Sequence, residues 1–181
     1  DDGNEFVFVI DDDAYWSDGV KVTADDVKWT FDAVTAKTSD TGAWKVLLGA
    51  FESPEVLDSK TVRFRKKGGS SKDWRDIIHC GMFWIMPKHA FEKCDFNKLD
   101  LLNAPVGGPY QLSRVAEQVE TEFSRVKNWW RRDMPSCKHV CNFDRIVMRY
   151  YMDMENAFEA LKKRAIDVYP AYTARIMTQE T

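Results

Sequence analysis

The junction that most constrains this chain is the run Trp-Ser-Asp-Gly-Val-Lys-Val-Thr-Ala-Asp-Asp-Val at residues 16–27, set between a dense apolar segment and an amphipathic one. Before it, Phe6, Phe8 and Ile10 alternate with Val7 and Val9, a β-branched and aromatic pattern that predicts a strand buried on both faces. Asp18-Gly19 then supplies a reversal, because glycine tolerates positive φ and aspartate can accept a bond from its own backbone. Thr23 is placed to cap a helix, and Asp26, three residues on, can return the bond as in a capping box. Val27, Phe31 and Val34 fall on one helical face at the i, i+4, i+7 spacing, while Asp25 and Asp26 sit where the helix dipole favours negative charge. A strand, a tight turn and a capped helix must therefore follow one another within about thirty residues, roughly the span of one supersecondary unit.

The remainder reads as a succession of helices and strands without internal repeats. Thr38 to Gly42 is a polar loop, and the apolar stretch from Ala43 to Phe51 forms a short helix or irregular packing. Glu52 to Val56 leads to a turn at Asp58-Ser59-Lys60 and then to the alternating strand Thr61–Arg65. Lys66 to Lys72 is a Gly- and Ser-rich loop. Trp74, Ile77 and Ile78 mark a helical face between Asp73 and Cys80, and a short helix over Ala90 to Phe96 follows Pro87. Tyr110 to Lys127 predicts a hairpin turning at Ala116-Glu117-Gln118. Ile146 to Tyr151 is a further strand, Asp153 caps a helix that buries Ala157, Phe158 and Leu161, and Ile166 to Tyr169 is a last strand before Pro170. The expected architecture is an α/β or α+β lobe with a mixed sheet. At 181 residues it is one domain, large enough to bury roughly 70% of its unfolded surface.

A net charge of −3 gives no global reason to expect nucleic acid or an anionic membrane as partner, and no apolar run approaches the roughly 20 residues that span a bilayer. One local exception is the basic stretch Arg125, Lys127, Arg131, Arg132, Lys138, Arg145 and Arg149, with Trp129 and Trp130 between them. Such residues can stack on bases or grip phosphate. They can equally form a solvated hairpin whose tryptophans turn inward, and that reading is preferred. Enzyme signatures are absent: there is no nucleophile elbow, phosphate loop or zinc-protease helix. His79 and Cys80 adjoin in sequence without thereby forming a pair, and Cys137-Lys-His139-Val-Cys141 does not match a standard structural zinc site. Cys80, Cys94, Cys137 and Cys141 are even in number and allow three pairings, as in an oxidising compartment. A Cys137–Cys141 bridge would close a small loop, and a Cys80–Cys94 bridge would staple the segment around Met86-Pro87.

Four segments in the same order carry a family resemblance. They are the run at 16–27, Met86-Pro87-Lys88-His89-Ala90-Phe91, Ala104-Pro105-Val106-Gly107-Gly108-Pro109-Tyr110, and the series from Asn142-Phe143-Asp144-Arg145-Ile146 through Glu155–Leu161 to Ile166-Asp167-Val168. Together they resemble the family 5 extracellular solute-binding proteins, which serve ABC importers. Trp129-Trp130 and the ending Tyr169 to Ile176 are closest to the subgroup that handles murein peptides and microcin-like conjugates. The resemblance implies one lobe of a type II periplasmic binding fold, in which 1–181 is a single partial domain and an internal piece of a longer protein. It implies an oligopeptide ligand captured in the periplasm, an ABC permease as partner, no catalytic activity and no cofactor. It places Gly42, Ala43 and Trp44, after the first helix, near the ligand cleft, with Trp44 either a cleft wall or a core side chain. Trp16, Trp29, Phe31, Trp84 and Tyr110 fall within or beside the motifs and are expected to pack. A metal chelate or sugar as ligand, a docking or signalling domain, and a thiol- or metal-dependent protein remain the competing readings. Two departures stand out. The Gly-Pro-Tyr segment is one residue short, and Arg164 lies where the family has the glycine that ends a helix.

Overall fold

The computed structural model describes residues 4–69, 73 and 75–170. Strand β1 (Glu5–Val9) pairs antiparallel with β3 (Thr61–Arg65), which also pairs with β2 (Glu55–Val56), giving the order β1-β3-β2. In this register Phe6 lies opposite Phe64 and Phe8 opposite Val62, so one face of the sheet is aromatic and aliphatic. The other face carries Glu5, Arg63, Arg65 and Glu55 in a ladder of ion pairs. It also carries Val7 and Val9, the latter 75% exposed. The apolar run of β1 is therefore buried on one face only, because the period-2 alternation sends the valines to the side with the charges.

Helix α1 (Ala24–Thr35) starts where Thr23 leaves the extended region, and Asp26 Oδ2 accepts the Thr23 backbone N–H at 2.9 Å. Val27 and Phe31 point into the core as the spacing requires. No glycine ends this helix. Ala36 turns outward at ψ 144°, and the last carbonyls find side-chain donors instead: Thr35 Oγ1 on Phe31, Ser39 Oγ on Ala33 and Thr41 Oγ1 on Val34. Helices α2 (Ala43–Leu48) and α3 (Arg75–Met82) complete the layer over the sheet, and α4 (Lys88–Phe91) follows Pro87. Their buried side chains Leu48 and Cys80 meet Val27, Phe31, Phe51, Val62, Phe64 and Phe83 in one core. Phe31, Phe64 and Phe83 pack edge to face around a triangle with centroids 5.9–6.3 Å apart.

The second half is a separate antiparallel sheet, β4 (Tyr110–Ala116), β5 (Glu120–Arg125) and β6 (Arg145–Arg149), followed by α5 (Met154–Lys162). The hairpin turns where expected, with Gln118 at φ 59°. The architecture is thus α+β, and every described strand pairing is antiparallel. Asp153 caps α5 by accepting the Asn156 N–H at 2.7 Å. At the other end Arg164 sits at φ 56°, Arg164 N donates to Leu161 O and Ala165 N to Ala160 O. These are the two bonds of a Schellman close, with arginine at the left-handed position that glycine normally takes.

Three further expectations are corrected. Ile166 to Tyr169 forms no strand: the chain emerging from the Arg164 reversal runs as irregular backbone, with no ladder partner among the described residues. The helix expected over Ala90–Phe96 is instead α4 at Lys88–Phe91 and a separate 3-10 turn at Phe96–Lys98, because Asp95 caps a new turn by accepting from Asn97 N. Helix α3 turns Asp76 and Cys80 inward and leaves Ile77 and Ile78 exposed, the i, i+4 pair defining its buried face. Trp74 lies outside the described residues.

Candidate ligand-binding site and its scaffold

Gly42, Ala43 and Trp44 form the junction between α1 and α2. Gly42 adopts φ 53°, ψ −124°, a conformation open to glycine rather than to a β-carbon-bearing residue. A Cβ placed there would meet nothing within 4 Å, so the glycine answers to backbone shape and not to crowding. Gly42 and Ala43 are exposed. Trp44 is half-buried, its inner side against the main core. The preceding loop is tied down from several directions. Lys45 Nζ donates to the carbonyls of Lys37 and Ser39, both at 3.0 Å, and Asn97 clamps the loop by accepting from Asp40 N and donating to Thr38 O. Val46 and Leu47 extend the exposed apolar surface of α2. The three residues thus offer apolar contact and backbone groups, and no charged side chain for an ionised terminus.

The motif segments converge through hydrogen bonds. Asp26, only 4% exposed, is their hub. Its Oδ2 accepts from Thr23 N at 2.9 Å, Thr23 Oγ1 at 3.3 Å and Trp16 Nε1 at 3.3 Å, while its Oδ1 accepts from Lys88 N at 2.8 Å. One turn on, Thr30 Oγ1 donates to Asp26 O and accepts from Met86 N at 2.9 Å. His89 Nε2 lies 2.7 Å from Asp18 Oδ2. These contacts join the first motif to the Met-Pro-Lys-His segment. Ser17 N donates to Val106 O at 2.8 Å and Val106 N to Ser17 Oγ at 3.1 Å, which adds the Gly-Pro-Tyr segment. Gly107 lies against the Trp16 ring, and its carbonyl accepts from both Trp129 Nε1 and Trp130 Nε1. Three of the four motif segments therefore form one hydrogen-bonded scaffold, with its Asp26 hub buried out of a ligand's reach.

The aromatics expected to pack divide. Trp16 and Phe31 are buried, Trp29 meets Phe96 edge to face at 6.0 Å, and Tyr110 donates its hydroxyl to Phe143 O. Trp84 does not pack: it is 83% exposed, because Phe83 takes the inward position next to it. The basic stretch is largely neutralised. Arg125 pairs with Asp144, Arg132 with Asp133, Arg145 with Glu122 and Arg149 with Glu120, and Trp130 turns in against the Trp16 cluster. Burial pushes the Cys80 thiol up to about 12, with Asp76 adding to the shift, so Cys80 keeps its proton and is no nucleophile beside His79. All four cysteines are free thiols, and neither expected bridge is formed. Sequence reasoning missed a groove of about 950 Å³ along β6, α5 and residues 165–170, walled by Met148, Tyr150, Met152 and Tyr169. Its signal was present in β6, whose apolar residues are adjacent rather than alternating.

A model of the bacterial extracellular solute-binding proteins, family 5 Middle, matches residues 1–181. The chain belongs to this family. Among its relatives is the Agrobacterium fabrum peptidoglycan-binding protein YepA, 30% identical over 182 aligned residues that cover 100% of this chain and 29% of YepA. NikZ of Campylobacter jejuni, solved with Ni(L-His), superposes with a TM-score of 0.75 at 22% identity, covering 91% of this chain and 31% of NikZ. The periplasmic oligopeptide-binding protein OppAIV of Borrelia burgdorferi superposes with a TM-score of 0.72 at 21% identity over 92% of this chain and 35% of its own. The last two likenesses establish the fold, that of family 5 binding proteins of the type II kind. The chain spans 26–29% of the length of such curated relatives. Among the described residues no helix is long and apolar enough to cross a membrane.

Proposed function

We propose that residues 1–181 are one partial domain, internal to the substrate-binding component of an ABC importer, which captures oligopeptides in the periplasm and hands them to a membrane permease. The observation that carries this reading is the match of residues 1–181 to an extracellular solute-binding family. YepA, related along the full chain, is named for peptidoglycan binding, which makes peptides of cell-wall origin the first class to try. In this reading the exposed side of Trp44 supplies an apolar wall and the Gly42-Ala43 backbone supplies polar groups that accept varied peptide side chains. The clamped loop before them lowers the ordering cost of binding. Charged ligand termini are held elsewhere in the longer protein.

Calorimetric titration of the full-length protein with short peptides and cell-wall peptides tests this. Peptide binding is expected, with Trp44→Ala weakening it by about tenfold, or roughly 1.4 kcal/mol, while the fold is retained. A folded Trp44→Ala protein with unchanged affinity removes the loop from the site. Binding of a metal chelate or sugar with no response to any peptide replaces the ligand class.

A further inference from the structure

The described cysteines differ sharply in setting. Cys80 is sealed in the core, and Cys94 is exposed beside the Ala90 carbonyl. Cys137 and Cys141 are both half-buried and line the same cavity, of about 400 Å³, between the end of β5 and the loop leading to β6. The backbone turns twice, once leading into Cys137 and once between the two cysteines. Cys137 N and Lys138 N both donate to Met134 O, at 2.9 and 2.8 Å, and Val140 N donates to Cys137 O at 3.3 Å. His139 and Cys141 hold left-handed φ values of 71° and 56°, and Asn142 Nδ2 fixes the bend by donating to His139 O at 2.7 Å. Non-glycine residues take that region at a cost, and two of them within three positions mark a loop whose shape is imposed.

We propose that Cys137 and Cys141 are a dithiol that closes to an intramolecular disulfide once the protein is outside the cytoplasm, the structure showing its reduced form. The inference rests on the extracellular character of the family, since disulfides form and persist in oxidising compartments. Closure joins the two Sγ atoms. The thiols give up two protons and two electrons to a disulfide oxidant, such as oxidised glutathione, which leaves as two thiols. Arg125 and Arg132 on the cavity wall are paired with Asp144 and Asp133, and Lys127 and Lys138 add a net positive charge that favours the approach of an anionic oxidant. The bond pins the loop that supplies Phe143 O to Tyr110 and Asn142 O to Arg125.

The sequence provides its own assay. Lys138 lies inside the loop, so trypsin separates Asp133–Lys138 from His139–Arg145, and only a disulfide keeps the two peptides together. Full-length protein should be taken from the extracytoplasmic fraction in the presence of a thiol-blocking reagent, and in parallel equilibrated with oxidised glutathione. The expected result is the linked pair in both samples, resolved by reduction and absent from Cys137→Ser, whose Cys141 becomes alkylated. Alkylation of both cysteines under both conditions, or a linkage of either one to Cys94, overturns the proposal. A free dithiol in protein that still binds its peptide defeats the disulfide alone. The linked pair in protein that binds no peptide defeats the ligand reading alone.

Discussion

Replacing Asp26 by asparagine isolates the hydrogen-bonded scaffold from packing, because the two side chains have nearly the same shape. In the native site both carboxylate oxygens accept, Oδ2 from Thr23 and Trp16 and Oδ1 from the Lys88 amide. An asparagine has a single acceptor oxygen, and its NH₂ group can only donate. With its oxygen toward Lys88, its NH₂ faces the Thr23 and Trp16 donors; flipped, it faces the Lys88 N–H. Either way at least one buried backbone donor loses its partner, at about 1–3 kcal/mol, and the remaining bonds lose charge assistance. Relief of the buried charge's desolvation offsets part of this. The net loss comes to roughly 2–4 kcal/mol, which for a chain of this size lowers Tm by roughly 5–15 °C. Urea and thermal unfolding of Asp26→Asn beside Asp25→Asn provide the assay. Asp25 is exposed in the same helical turn, so its variant reports the dipole contribution alone, under about 1 kcal/mol. Equal losses in the two variants would refute the scaffold argument.

Phe31→Ala removes a ring that is 2% exposed and touches Phe64 and Phe83; the loss is about 3–5 kcal/mol, read as a fall in the urea midpoint. Arg164→Gly keeps the Schellman bonds and relieves the left-handed arginine, so it stabilises by roughly 1 kcal/mol in the same assay, whereas Arg164→Val destabilises. Cys80 resists alkylation in the folded protein while Cys94 reacts, as mass mapping after brief labelling will show. Its raised thiol also sets a pH dependence. The unfolded thiol ionises near 9 and the folded one near 12, so its contribution is full below about 9 and declines between 9 and 12, a decline that Cys80→Ala removes.

The parts of the fold governed by local rules were legible in the chain. Asp18-Gly19, Thr23 with Asp26, Asp153, and the hairpin at Glu117-Gln118 each specify their turn or cap within a few residues, and each forms as read. What escaped depends on distant partners. Val7 and Val9 are as apolar as Phe6 and Phe8, and only the pairing of β1 with the charged face of β3 shows which side is covered. Ile77 and Ile78 stay outside because α3 turns Cys80 into the aromatic core and Asp76 to a 2.6 Å ion pair with Lys66. Ile166 to Tyr169 has strand composition but pairs with no strand among the described residues. Around the candidate site, the turn at Gly42 and the helix that opens with Ala43 and Trp44 follow from local signals, whereas the Asp26 hub that joins the first motif to the Met-Pro-Lys-His segment needs a contact spanning 62 residues.

Native mass spectrometry of the gently purified full-length protein is the decisive test of the proposed peptide capture. Peptide capture requires a retained adduct of peptide mass that is released on denaturation, with cell-wall peptides restoring it to stripped protein. An adduct that proves to be a metal chelate or sugar, with no peptide able to displace it, would contradict the claim.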